Sequence, residues 1–359
     1  MKKICFLSGV ISRSGGTERV GTMIANALFL AGYEVTILSF WDRGTPFFKV
    51  ESGIKVDYLL KPSEGKLYRT FIYPVLKLHN YIIHNHIDVL IDIDTLLTRF
   101  SSRAISGTKC KLVDWEHFNY LHTMEDKRRR KCLKLSIKNA SKIVVLTKED
   151  YNFHVEKGNV PKEKITYIYN PTPFEGKSPS LCQGNNVIAV GRLTYQKGFD
   201  LLVKAWQLVE KNNNSLILNI IGSGEDVDKL KKLALSLNLQ RCNFIPATSE
   251  IEEWYNMSCL YVMSSRFEGF PMVLLEAIAK GLPIVSFGCP TGPKEIVIDG
   301  KGGYLVPNFD VGILAQKIIE IAEDRRKLSN FSKFNVEFSK SFYMDKILPE
   351  WIKLIEELV

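Results

Sequence analysis

The feature that most constrains this chain is a rhythm. Short apolar, β-branched runs alternate with helical stretches from end to end. In the first half the runs lie at 3–7, 34–40, 56–60, 88–93, 111–114, 143–146 and 166–168. In the second half they lie at 187–190, 216–221, 243–245, 260–263, 284–287 and 304–306. A parallel crossover needs a connection long enough to hold a helix, so this alternation builds parallel sheets with helices on both faces. Two successive sets predict an α/β chain of two doubly wound, Rossmann-like domains. The break is Asn170-Pro171-Thr172-Pro173-Phe174-Glu175-Gly176-Lys177-Ser178-Pro179, where three prolines remove backbone donors and forbid helix. We therefore expect one domain over 1–172 and a second over 173–340. A closing helix in 341–359 carries Ile347, Leu348, Trp351, Leu354, Ile355 and Leu358 at helical spacing and is expected to pack back toward the first domain.

Several classes drop out. No apolar run approaches the ~18 residues of a membrane-spanning helix. Met1-Lys2-Lys3 followed by Ile4 to Ile11 mimics a signal peptide, but the segment contains Ser8 and Gly9 and leads into Ser12-Arg13-Ser14-Gly15-Gly16 rather than a cleavage site. We read it as a first strand. The seven cysteines are odd in number and form no Cys-x-x-Cys pair, which fits reduced cytoplasmic thiols rather than a disulfide framework or a zinc site. The net charge is +9, and it is uneven. Residues 1–170 hold 27 Lys and Arg against 17 Asp and Glu; residues 171–359 hold 21 against 22. The basic half is expected to meet something anionic. No nucleic-acid-binding motif accompanies it, so a phosphate-bearing substrate or an anionic bilayer is the expected partner.

Two places carry chemistry. The first strand runs into Ser14-Gly15-Gly16-Thr17-Glu18-Arg19 and then a helix with Val20, Ile24, Ala27 and Leu28 on one face. Strand, glycines and helix point backbone N–H groups at an anion. In the second half, Gly191-Arg192-Leu193-Thr194-Tyr195-Gln196-Lys197-Gly198 follows a strand, and its two cations can converge on one diphosphate. Further on, Ser264-Ser265-Arg266-Phe267-Glu268-Gly269-Phe270-Pro271-Met272 leads into a helix whose N-terminus Pro271 suits. Glu268 lies before that helix and Glu276 inside it, both able to accept from sugar hydroxyls.

Glu268 and Glu276 form a Glu-x7-Glu motif enclosing Gly269-Phe270-Pro271. Gly191-Arg192 and Lys197-Gly198 stand upstream, and Ala277-x-Ala279-x-Gly281-x-Pro283 downstream. With Gly15-Gly16-Thr17-Glu18-Arg19, Trp115-Glu116-His117, Tyr169-Asn170-Pro171 and Pro290-x-Gly292-Pro293-x-Glu295-Ile296, the chain resembles glycosyltransferase family 4 over nearly its whole length. That resemblance implies the GT-B fold, two facing Rossmann-like domains with an inter-domain cleft, and a retaining transfer from a nucleotide sugar. It implies that Arg192 and Lys197 hold the donor diphosphate, and that Glu276 accepts from the ribose. Glu268, Gly269, Phe270, Pro271 and Met272 would hold the transferred sugar. Gly15 and Gly16 would close over the phosphate from the opposite domain. His117 would stand on the acceptor side and serve catalysis with Arg192, Lys197 and Glu268; Glu18 and Asp94 would join it there. UDP, a hexose or N-acetylhexosamine, and a lipid-diphosphate-linked glycan acceptor in bacterial surface-polysaccharide assembly are implied. No cofactor is expected beyond the nucleotide sugar. Pro246 stands where the family more often has Gly, close to the expected nucleotide base.

The same residues admit other readings. A nucleotide-sugar epimerase can use the same fold, and a non-catalytic sugar-nucleotide-binding protein would keep the donor motif. Asp92-Ile93-Asp94 resembles the metal clamp of the other large glycosyltransferase fold, but two cations and a helix N-terminus already neutralise a diphosphate, so no metal is expected. His79, His84 and His86 read as structure or surface. For the membrane, 127–138 offers Lys127-Arg128-Arg129-Arg130-Lys131, then Lys134 and Lys138; 68–83 interleaves aromatic and aliphatic residues with Arg69 and Lys77. Both suit an anionic bilayer interface, placing the protein at the inner face of the cytoplasmic membrane.

Overall fold

The computed structural model describes residues 1–63, 70–180, 182 and 184–359. It divides into two compact units, Met1–Pro171 with Met344–Val359, and Thr172–Tyr343. Thr172 goes with the second unit because its N–H donates to Phe342 O (2.8 Å) and its hydroxyl to Leu275 O (3.3 Å).

The first unit holds strands β1 (Lys3–Ser8), β2 (Glu34–Trp41), β3 (Lys55–Leu60), β4 (Val89–Ile93), β5 (Lys111–Trp115), β6 (Lys142–Val145) and β7 (Ile165–Tyr167). They lie in the order β3-β2-β1-β4-β5-β6-β7, and each pairing is parallel. Its helices are α1 (Gly16–Leu30), α2 (Ile72–His84), α3 (Thr98–Ala104), α4 (Tyr120–Glu125), α5 (Lys127–Asn139) and α6 (Lys148–Glu156). The apolar face of α1 is buried through Val20, Ile24, Ala27 and Leu28.

The second unit holds β8 (Asn186–Val190), α7 (Phe199–Asn212), β9 (Ile217–Ile221), α8 (Val227–Ser236), β10 (Cys242–Ile245), α9 (Ile251–Asn256), β11 (Leu260–Met263), α10 (Met272–Ala279), β12 (Ile284–Phe287), α11 (Pro293–Ile296), β13 (Gly303–Val306), α12 (Val311–Glu323) and α13 (Arg325–Ser339). Its parallel order is β10-β9-β8-β11-β12-β13. The strands start and end within about one residue of their sequence positions. The chain then returns to the first unit as α14 (Met344–Leu358), which contains Pro349 and so lacks one backbone donor. Its Trp351 is fully buried and meets Trp115 edge-on at 4.6 Å.

In each sheet the strand order reverses once, between β1 and β4 and between β8 and β11. Ligands of doubly wound sheets bind outside the carboxyl ends of the strands at such points.

Candidate functional site

At the switch point of the second unit, three loops are fastened together. Gly198, at φ +63, caps the start of α7, and a Cβ there would run into Ser264 O. Only glycine lets the 191–198 loop lie this close to the loop after β11. That second loop is tied on by Ser264 Oγ to Lys197 O (3.1 Å), Arg266 N–H to Gln196 O (2.8 Å) and Gln196 Nε2 to Phe267 O (3.2 Å). Arg266 forks onto Asp200 through two 2.8 Å bonds and lies 4.1 Å from the centre of the Tyr195 ring. The loop after β12 closes from the other side. Thr291 donates to Glu268 O at 2.7 Å, and a Cβ on Gly292, at φ +70, would stand 2.6 Å from Gly269 O.

This frame presents the sequence-chosen residues. Lys197 Nζ donates to Glu268 Oε1 at 2.6 Å; the carboxylate side chain is 6% exposed and the lysine 20%. Glu276 is buried in the second turn of α10, and Tyr255 donates to its Oε2 at 2.7 Å. Tyr255 stacks on Tyr261 at 5.9 Å with rings almost parallel. Burial, with Glu276 and Glu268 nearby, holds the Tyr261 hydroxyl well above its ordinary range. Pro271 caps α10 in extended backbone, and Met272 begins it, so the first N–H groups lack helical acceptors. Phe270 is buried against Phe342 (5.8 Å). Arg192 is exposed on the loop leaving β8.

At the switch point of the first unit, Gly15 caps α1 in extended backbone, Gly16 is its first helical residue, and Glu18 lies in its first turn. Asp94, just after β4, stands at φ 136. Its Oδ1 accepts from Leu96 N–H (2.9 Å), and Arg129 forks onto both its oxygens at 3.1 Å. Glu116 accepts from Arg129 (3.3 Å), from Phe118 N–H (2.8 Å) and from the Thr123 hydroxyl (3.3 Å). Burial pushes its carboxyl above the usual carboxylate range, against the pull of Arg129. His117 packs on Trp115 at 4.6 Å, and its Nε2 is buried without a hydrogen-bond partner among the described residues. Burial pushes the imidazole down to about 4, with Asp94 opposing and Arg129 assisting.

One expectation needs correction. Arg129 does not belong to a membrane-facing run: it is buried and neutralises Asp94 and Glu116, while Lys127, Arg128, Lys131, Lys134 and Lys138 are exposed. The carboxylates of Asp92 and Asp94 meet different partners. Asp94 turns to Arg129, while buried Asp92 accepts from Thr98 (3.2 Å) and Ser101. Tyr68 and Arg69 of the other membrane segment lie outside the described residues. His79 hydrogen-bonds Ala104 O (2.7 Å), and His84 and His86 are exposed. Sequence reasoning missed Tyr255, Arg266 and Arg129. Arg266 had a usable signal, its position two residues before Glu268; Tyr255 and Arg129 had none beyond helical periodicity.

Comparison with known proteins gives the family and the fold. The model for Glycosyltransferase Family 4 matches residues 14–175, and that for Glycosyl transferases group 1 matches 176–337. An uncharacterized glycosyltransferase of Haemophilus influenzae is 32% identical over 353 residues, covering 98% of this chain and 99% of that protein. The amylovoran biosynthesis glycosyltransferase AmsD of Erwinia amylovora is 28% identical, with 98% and 99% covered. An N-acetyl-D-galactosaminyltransferase of a PP-undecaprenol-linked glycan from Campylobacter jejuni is 27% identical, with 100% and 99% covered. Among solved structures, sucrose-phosphate synthase from Thermosynechococcus elongatus superposes with a TM-score of 0.86 at 19% identity, covering 100% of this chain and 99% of that one. The pneumococcal O-GlcNAc transferase GtfA, in complex with UDP and GlcNAc, gives 0.82 at 16%, with 99% of each covered. The fold is therefore GT-B, and the protein is a glycosyltransferase. The chain belongs to glycosyltransferase family 4.

Proposed function

We propose that this glycosyltransferase moves a hexose or N-acetylhexosamine, with retention, from a UDP-sugar to a lipid-diphosphate-linked glycan during surface-polysaccharide assembly. One observation carries the reading: Lys197, Glu268 and the N-terminus of α10 stand together at the switch point of the second unit. The relatives from Erwinia and Campylobacter support the polysaccharide and lipid-linked parts, and the UDP and GlcNAc bound to the pneumococcal structure support the donor.

In this mechanism the bond between the anomeric carbon and the diphosphate breaks as the acceptor hydroxyl attacks from the same face. The leaving phosphate takes the hydroxyl proton. Charge growing on the diphosphate is met by Arg192, Lys197 and the first N–H groups of α10. Glu268 and the backbone of Gly269, Phe270, Pro271 and Met272 take the sugar, while Glu276 accepts from the ribose hydroxyls. Gly15 and Gly16, at the start of α1, suit a phosphate. His117, neutral at pH 7, acts as a hydrogen-bonding group toward acceptor or sugar rather than as an acid, with Asp94 and Glu18 as acceptors for hydroxyls. The cations replace a metal ion, and no cofactor is needed.

Two surfaces suit docking at the inner face of the cytoplasmic membrane. One stripe of α2 exposes Ile72, Leu76 and Ile83 while Leu78 and Ile82 are buried, and α5 exposes five cations.

The test combines binding and turnover. UDP should bind more tightly than GDP with EDTA present, and the product should keep the donor's anomeric configuration. Arg192→Ala and Lys197→Ala should each lower transfer ~10²-fold, or ~3 kcal/mol. Turnover within about threefold of wild type for both variants would defeat the diphosphate assignment. An inverted product would defeat retention, and activity lost to EDTA but restored by manganese would place a metal in the reaction.

A further inference from the structure

The cations at 127–131 follow one another in sequence, but Arg129 alone turns fully inward, its side chain 7% exposed. A buried guanidinium persists only when its charge and donors are met. Here they are met by carboxylates from two different strand ends. Asp94, after β4, takes the fork through two 3.1 Å bonds. Glu116, after β5, takes a third bond at 3.3 Å. The guanidinium also lies 3.7 Å from the centre of the Phe118 ring. The start of α5 is itself fixed, because Asp126 Oδ1 accepts from the N–H groups of Arg128 (2.6 Å) and Arg129 (3.1 Å).

Two consequences follow. Asp94 stands at φ 136, a backbone state costing a non-glycine residue of order 1–3 kcal/mol. Its carboxylate is held from both sides, by Leu96 N–H and by the Arg129 fork. Glu116 and Phe118, both touched by Arg129, flank His117 in the chain.

We propose that Arg129 is the positioning residue of the acceptor side, fixing Asp94 and the 116–118 loop and thereby setting where the His117 ring stands. This rests on the acceptor-side reading of His117 and Asp94 given above. Lysine cannot substitute, because a point charge cannot fork onto Asp94, reach Glu116 and stack on Phe118 together. The charged groups acting on His117 are Asp94 from the β4 loop and Arg129 from α5. The cation disfavours the protonated imidazole, so its removal raises the His117 titration.

The experiment uses the full chain with Arg129→Met, Arg129→Lys and His117→Ala. UDP affinity, assigned to Arg192, Lys197 and Glu276 of the second unit with Gly15 and Gly16 at the start of α1, should match wild type in all three. Arg129→Met and Arg129→Lys should each lower kcat/KM for acceptor ~10²-fold, the scale of a misplaced group. The His117 ring resonance should titrate higher than about 4 in Arg129→Met and stay low in Arg129→Lys, which keeps the charge. That split reports the charge alone; loss of acceptor kcat/KM in Arg129→Lys, which keeps the charge and the His117 titration, reports the fork. Wild-type acceptor kinetics in Arg129→Lys would overturn the positioning role, and if Arg129→Met does not fold this variant decides alone. Wild-type transfer by His117→Ala would instead overturn the acceptor-side reading beneath it.

Discussion

Replacing Asp114 with Asn should change the pH dependence of the first unit by an amount that can be worked out. Asp114 is fully buried on β5, in register with Asp92 on β4. Its Oδ2 accepts from Thr95 (3.2 Å) and Ser136, and its Oδ1 is buried without a hydrogen-bond partner among the described residues. Burial, with Glu116 adding to it, pushes the carboxyl up to about 7; burial and Asp114 hold Asp92 well above the usual range. The fold therefore prefers the neutral acid. A carboxyl raised in the folded state contributes stability that is complete below the unfolded value of ~3.9 and lost as pH rises through the folded value. At ~1.4 kcal/mol per pH unit, about 3 kcal/mol is lost between pH 5 and pH 8. Asn cannot ionise, keeps an acceptor for Thr95 and Ser136, and puts a donor where Oδ1 lies. The stability of Asp114→Asn relative to wild type should thus rise by ~3 kcal/mol over that interval. Two units make a single unfolding midpoint ambiguous, so hydrogen exchange of the β4 and β5 amides is the assay. Protection in the variant divided by that in wild type at the same pH should grow ~10²-fold from pH 5 to pH 8. A ratio that stays level or falls would refute the neutral-acid argument.

Gly198→Ala should destabilise the second unit by of order 1–3 kcal/mol, since φ +63 and the approach to Ser264 O both exclude a Cβ; unchanged exchange protection of the β8 and β11 amides would contradict it. The protein should sediment with anionic vesicles at low salt and release at high salt. Ile72→Asp with Leu76→Asp and Ile83→Asp, or Arg128→Glu with Lys131→Glu and Lys134→Glu, should abolish this while sparing UDP binding, and a wild type that stays in the supernatant defeats membrane docking.

Much of the molecule is legible in the chain because the relevant signals are local. A parallel strand buried on both faces must be apolar along its length, and its crossover helix must be amphipathic, so the strands can be found residue by residue. Glycines and prolines mark where the backbone turns sharply, which is why 191–198 and 268–276 stand out as loops at strand ends. The direction of Arg129 was not legible. Five successive cations on a helix wind around it at about 100° each, so some must face inward, but which one depends on where α5 rests. Tyr255 of α9 meets Glu276 of α10 only in the folded second unit, and no periodicity links the two residues. Asp92 and Asp114 become neighbours only when β4 and β5 pair in parallel. Sequence alone determined the order of elements and the loops that carry chemistry, because propensity and periodicity act along the chain. Tertiary structure decided which charges are buried and what neutralises them, because desolvation and Coulomb energy depend on distances that only the packed sheets define.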